Sequence, residues 1–175
     1  MKKILMLCVA VMMAATSMKA QHEIGGIVGG MNGLSYKYWF NDAWALQADL
    51  AVGLTQAAGN TSGVSWDHGM YDFTINPNAE YHFELPANFK IYVGGGLNFG
   101  LANDLKHGTN ESVEGKFGIN AICGVTYDIQ AVPLVLAFDF RPGYGLGFWG
   151  DKDFRPSGTS NYFDWKIAFA VRYKL

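Results

Sequence analysis

Residues 161–175 read N-Y-F-D-W-K-I-A-F-A-V-R-Y-K-L. At every second position, Phe163, Trp165, Ile167, Phe169, Val171, Tyr173 and Leu175 are apolar or aromatic. The positions between them, Asp164, Lys166, Ala168, Ala170, Arg172 and Lys174, are charged or small. A repeat of two this strict belongs to a β-strand with one oily face and one polar face. It runs to the last residue, which predicts a final strand that closes a barrel instead of a trailing tail.

The same alternation recurs upstream. It predicts strands at His22–Gly30 and Gly33–Phe40, joined tightly around Met31-Asn32, although E-I-G-G-I-V-G-G in the first is diluted by glycine. Trp44–Leu54 carries Trp44, Leu46, Leu50 and Val52 on one face and Gln47 and Asp49 on the other. Tyr71–Glu84 sets Phe73, Ile75, Tyr81 and Phe83 against Thr74, Asn76, Asn78, Glu80 and His82, with Pro77 predicting a bulge or local break. Phe89–Leu101, Lys116–Ile129 and Leu134–Phe148 alternate in the same way. Short turns are expected at Asn41-Asp42, Pro86-Ala87-Asn88 and Gln130–Pro133, and polar loops at Gln56–Gly69, Ala102–Gly115 and Trp149–Ser160. The prediction is an all-β protein, an eight-stranded antiparallel up-and-down transmembrane β-barrel.

At the N-terminus, Lys2 and Lys3 precede an apolar core, Ile4–Ala15, and a small residue at Ala20. That is the layout of a secretory signal peptide, and its core is too short to span a membrane. Residues 1–20 are read as the signal and 21–175 as the barrel domain. Cleavage there removes three lysines and no acid, leaving ten basic residues against fifteen acidic ones. This balance speaks against nucleic acid as a partner. Only Cys123 remains, so the mature monomer holds no internal disulfide.

A soluble eight-stranded barrel of the lipocalin type would show the same alternation with its oily face inward. Twelve Phe, nine Tyr and five Trp would overfill so small an interior, which favours the oily face turned out to lipid. Short connections alternate with long ones, as turns and outer loops do in outer-membrane barrels. Aromatic residues are expected at two rims: Phe40, Trp44, Phe83, Phe89, Tyr127 and Tyr173 at one, and Tyr71, Phe99, Phe117, Phe140 and Phe163 at the other.

The stretches G-L-S-Y-K-Y-W-F-N-D-A-W-A-L-Q (33–47), N-A-E-Y-H-F (78–83), I-Y-V-G-G-G-L-N-F-G (91–100), I-C-G-V-T-Y-D-I-Q-A-V-P-L (122–134) and V-R-Y-K-L (171–175) resemble the small outer-membrane β-barrel proteins of Bacteroides-type bacteria. That porin-like family is itself similar to the OmpX and OmpA-barrel architecture. The resemblance implies residence in the outer membrane, contact with outer-membrane lipid and lipopolysaccharide, and insertion by the barrel-insertion machinery through the C-terminal strand. The family's assembly signal ends in an aromatic residue, whereas this chain ends in Leu175 with Tyr173 two before it.

Chemistry is sparse. His22, His68, His82 and His107 show no metal-ligand spacing, and no cofactor or metal is expected. Ser65, Asp67 and His68 stand close in sequence, but a triad is a matter of geometry, and the residues read as part of a solvated loop. No enzyme is expected. The inward parity is more informative: it carries Lys37, Lys90, Lys116, Arg141, Lys166 and Arg172 against Asp49, Asp72, Glu80, Asp128, Asp139 and Asp164. Equal numbers of bases and acids predict a filled, paired interior centred on Arg141 and Arg172, with Asp49, Glu80, Asp139 and Asp164 as their carboxylates. A monomer with a structural or surface-interaction role is expected. The alternatives are a narrow pore or a route for small or hydrophobic solutes and, more remotely, a lipid-modifying enzyme.

Overall fold

The structure, a computed structural model, describes residues 22–61, 64–104, 113–150 and 156–175; the predicted signal peptide lies outside them. Eight strands follow one another along the chain: β1 (His22–Gly29), β2 (Asn32–Trp39), β3 (Trp44–Thr61), β4 (Val64–Glu84), β5 (Phe89–Asp104), β6 (Val113–Ile129), β7 (Leu134–Gly150) and β8 (Pro156–Lys174). Each pairs antiparallel with the next, and β1 pairs with β8 to close the barrel. The alternation that defines each strand also decides what faces where. Leu34, Leu50, Phe73, Val93, Ile119, Phe138 and Phe169 are exposed on the outer wall, while polar and charged side chains outnumber hydrophobic ones among the buried residues described. The molecule is therefore inside out relative to a soluble barrel, which removes the lipocalin alternative.

Sequence reading made the strands too short at the loop end. Gln56–Gly69, expected as a loop, is almost wholly strand: β3 and β4 stay in register from Trp44↔Tyr81 to Thr61↔Val64. The segment Ser65–His68 is thus ladder, facing Ala57–Asn60 in register. β5 and β7 likewise run past the expected starts of their loops, and β6 and β8 begin before the expected ends. Pro77 makes no bulge. Its β3 side is continuous through Ala48↔Pro77, whereas the β4–β5 ladder skips from Ile75↔Phe99 to Asn78↔Gly96 without a shift in register. Proline lacks an N–H to give, so one ladder is interrupted and the other is kept. Pro142 repeats the pattern, paired to Trp165 on β8 while the β6–β7 ladder skips past it.

The β1–β2 hairpin is the exception to strand length, at eight residues per strand against sixteen to twenty-one elsewhere. Its turn needs glycine, because Gly29 sits at φ 122°, where side chains are not tolerated. Asn32 staples the turn, its side-chain amide bonding both the N–H and the carbonyl of Gly29. Beyond the tip, β3 and β8 meet directly through Ala58↔Phe163, Gly59↔Tyr162 and Asn60↔Asn161. The wall thus has eight strands at the turn end and six at the loop end. Between the two regimes, residues 53–57 of β3 pair with β4 alone, and Gly30 N donates to Ile167 O across the tip at 2.7 Å.

Among the described residues, Ile27, Met31, Ala51, Ala137, Ala168 and Ala170 form a small apolar cluster in the interior, where the hairpin packs against β3, β7 and β8. On the outer wall, ring pairs mark the turn-end rim: Trp44–Tyr81 at 5.1 Å and Phe89–Tyr127 at 4.8 Å. Phe99–Phe117 pair at 5.2 Å toward the other end. Phe140, expected at that second rim, instead lies partway along β7 opposite Ile167, and Tyr144 opposite Phe163 stands closer to the loop end.

Candidate functional site

The lumen is built from the inward residues of all eight strands. At the turn end, Lys37 Nζ on β2 lies 2.6 Å from Glu80 Oε2 on β4, and His82 Nε2 shares the same oxygen at 2.9 Å. Trp39 and Tyr92 flank His82 with ring centroids at 4.3 and 4.8 Å, and Lys37 Nζ stands 4.7 Å over Tyr92. Trp39 also donates its indole N–H to Glu23 at 2.7 Å. Lys90 belongs to the mouth of this layer. It is partly exposed, 3.4 Å from Glu84 and 4.9 Å over the Trp39 ring. Asp128 is likewise peripheral, bonded to Lys174 at 2.8 Å.

In the middle, Arg141 on β7 reaches over the short hairpin to Asp49 on β3 at 2.6 Å and also binds Asp139. Both carboxylates and the guanidinium are buried. Arg172 departs from expectation, because no described carboxylate binds it. Its Nε donates to Ser35 Oγ at 2.9 Å and its Nη2 to Gln47 Oε1 at 2.7 Å. Gln47 then donates to Asp49 at 2.9 Å, so the two arginines are linked through one amide. The inward carboxylate in register with Ser35, Asp49, is instead taken by Arg141 and Gln47, and Arg172 bonds the neutral Ser35 and Gln47 beside it. A third layer toward the loop end gathers Lys116, Asp164 and Lys166, with Asp164 Oδ2 lying 4.0 and 3.6 Å from the two ammonium groups. Asp72 carries no described side chain.

Three members escaped the sequence reading as network residues. Glu23 was hidden by the glycine dilution of β1, and Ser35 and Gln47 were on the inward parity but carry no charge. On β4–β6, between the Lys37–Glu80 layer and the Lys116–Asp164 layer, the contacts are between amides. Asn120 donates to Asn78 Oδ1 at 2.6 Å, spanning β5 at Gly96, where a Cβ would collide with Asn78. Gly124 makes the same allowance for the Tyr92 ring. The described residues contain no group of three or more His, Cys, Asp or Glu suited to a metal ion.

No family model matches the sequence, and no curated protein does either. Solved structures do match. OprG from Pseudomonas aeruginosa aligns over 89% of this chain and 96% of its own, at 13% identity and a TM-score of 0.57. The N-terminal β-barrel domain of Pseudomonas aeruginosa OprF aligns over the same shares at 14% identity and 0.56. A major outer membrane protein from Thermus thermophilus aligns over 90% of this chain and 100% of its own, at 14% and 0.52. This is the small outer-membrane barrel fold. At such identities the likeness is one of fold alone, a closed antiparallel barrel.

Proposed function

We propose that the chain is an integral outer-membrane barrel, exported by its N-terminal signal peptide, whose role is structural or surface-interacting and whose lumen is shut to ions. The observation that carries this reading is the Arg141–Asp49–Asp139 bridge, a buried charge cluster spanning from β7 to β3 and joined through Gln47 to Arg172. An ion passing through would have to break it, and an eight-stranded interior is just wide enough for side chains. The exposed apolar wall supports lipid as the surrounding solvent, with lipopolysaccharide at the loop end. The barrel is a monomer inserted through β8, and it has no catalytic role. Kinship with the small barrels of Bacteroides-type bacteria rests on the five sequence stretches that resemble them. Planar-bilayer recording tests the reading: wild type stays silent, while Arg141→Ala and Arg172→Ala raise conductance. Steady wild-type current would replace it with a pore. Phospholipase and acyl-transfer assays, with Ser65→Ala and His68→Ala as controls, are expected to show no turnover.

A second reading has one observation behind it. The break in pairing at residues 53–57, beside the β1–β2 tip, favours a lateral route for a small hydrophobic solute between β3 and β8. A disulfide across that seam that blocks uptake of such a solute would support it.

A further inference from the structure

Strand β1 closes the barrel against β8, and three of its eight residues are glycine. A glycine-rich strand specifies its register weakly, because few side chains tell one pairing from the next. A slip of two residues keeps every side chain on its own face, so neither the lipid-facing nor the inward pattern rejects it. The closing pair still has to be right, since its register fixes the shear of the barrel and with it the tilt of every strand.

Along the inward face of β1 stand Glu23, Gly25, Ile27 and Gly29, and in register with them on β8 stand Lys174, Arg172, Ala170 and Ala168. From Gly25 onward large meets small: Arg172 lies against Gly25, Ile27 against Ala170, and Ala168 against Gly29. The fit is closest at Gly25, where a Cβ would overlap the backbone oxygen of Val171 and the Cα of Arg172. Gly25 is also in register with Ser35 on β2. Arg172 thus passes over bare backbone to Ser35 Oγ at 2.9 Å, and its Nη2 goes on to Gln47 on β3 at 2.7 Å. The turn stapled by Asn32 holds β1 and β2 in one register, so Ser35 travels with Gly25. A slip of β8 one way brings Arg172 against Ile27, whose buried side chain stands in the arginine's path. A slip the other way brings it against Glu23, a carboxylate already bonded by the Trp39 indole at 2.7 Å. Either slip takes Arg172 out of register with Ser35.

We propose that Gly25 and Arg172 are the register lock of the closing seam: the barrel shuts only with the arginine over the glycine, and the bonds to Ser35 and Gln47 beyond β1 select that pairing from its two neighbours. The lock is independent of whether the lumen conducts. Cysteine trapping tests it, in a Cys123→Ala chain refolded into lipid vesicles, with pairs taken from exposed outer-wall positions. Ile24→Cys with Tyr173→Cys reports the native pairing. Ile24→Cys with Val171→Cys reports the slip that sets Glu23 against Arg172, and Val28→Cys with Val171→Cys the slip that sets Ile27 there. Among folded barrels, identified by heat-shifted gel mobility, the native crosslink is expected in about tenfold excess over either shifted one, the scale set by two hydrogen bonds to a charged group. Arg172→Ala is expected to remove that excess, and so is Ser35→Ala combined with Gln47→Leu, which leaves the arginine in place. Gly25→Ala is expected to lose the native crosslink. Arg141→Ala, the costlier change for stability, should leave the distribution as in wild type. A wild type spread evenly over the three pairings, or the native excess kept in folded Arg172→Ala or in the folded double variant, overturns the lock. A distribution that follows stability, shifting in Arg141→Ala as well, overturns it too. A native crosslink kept in folded Gly25→Ala removes the glycine from it.

Discussion

The outer wall and the lumen are made by the same strands in the same alternation, yet they obey different rules. On the outer wall Phe138 and Phe169 sit with ring centroids 4.8 Å apart, and their neighbours are apolar residues that another apolar residue could replace. Lipid asks only for low polarity, so position there is loosely specified. Inside, each charge meets a named atom: Lys37 on Glu80, Arg141 on Asp49, Gln47 between Asp49 and Arg172. Taking a charge from water is costly unless it is paired, so position in the lumen is tightly specified.

The contrast can be broken first at Arg141. Arg141→Ala leaves Asp49 and Asp139 buried without their cation and is expected to cost ~3–5 kcal/mol in reversible urea unfolding in lipid. Exposed Asp42→Ala should stay within ~0.5 kcal/mol of the parent. Equal midpoints for the two would mean that the lumen is as permissive as the wall.

Next comes the wall itself. Phe169→Arg places a charge against lipid and is expected to cost ~2–4 kcal/mol, whereas Phe169→Leu stays under ~1.5 kcal/mol. Spin labels at Ile167, Phe169 and Val171 should be relaxed by oxygen and not by water-soluble quenchers; the reverse would turn the barrel right side in. Arg172 sharpens the lumen side. Its partners are neutral, so Arg172→Ala leaves two unpaired polar groups and no bare carboxylate, with an expected cost of ~1–3 kcal/mol. A loss matching that of Arg141→Ala would show that charge, and not hydrogen bonding, holds Arg172.

The smallest effect lies outside both regions, in the β4–β5 turn. Ala87 has φ 61°, a left-handed conformation that costs a residue with a Cβ. Ala87→Gly relieves it and should be neutral or stabilising by up to ~1 kcal/mol, read from the same unfolding curves.

Alternation made the strands, their number and their facing legible, because lipid outside and polar packing inside write opposite residues at successive positions. It failed where that contrast fades. Gln56–Gly69 is polar and glycine-rich on both parities, so it looked like loop although its backbone is ladder. Direct pairing of β3 with β8 left no local trace, since it joins residues far apart in the chain and depends on the hairpin between them being short. Parity also names the face of Arg172 but not which inward neighbour it bonds: the carboxylate in register there, Asp49, is engaged by Arg141, and the uncharged Ser35 and Gln47 carry no signal of their own.

The loss of two strands from the wall gives the molecule a taper. Strands stand about 4.8 Å apart, so passing from eight to six removes about 10 Å of girth toward the loop end. Such a body is a wedge, broader at its turns than at its loops.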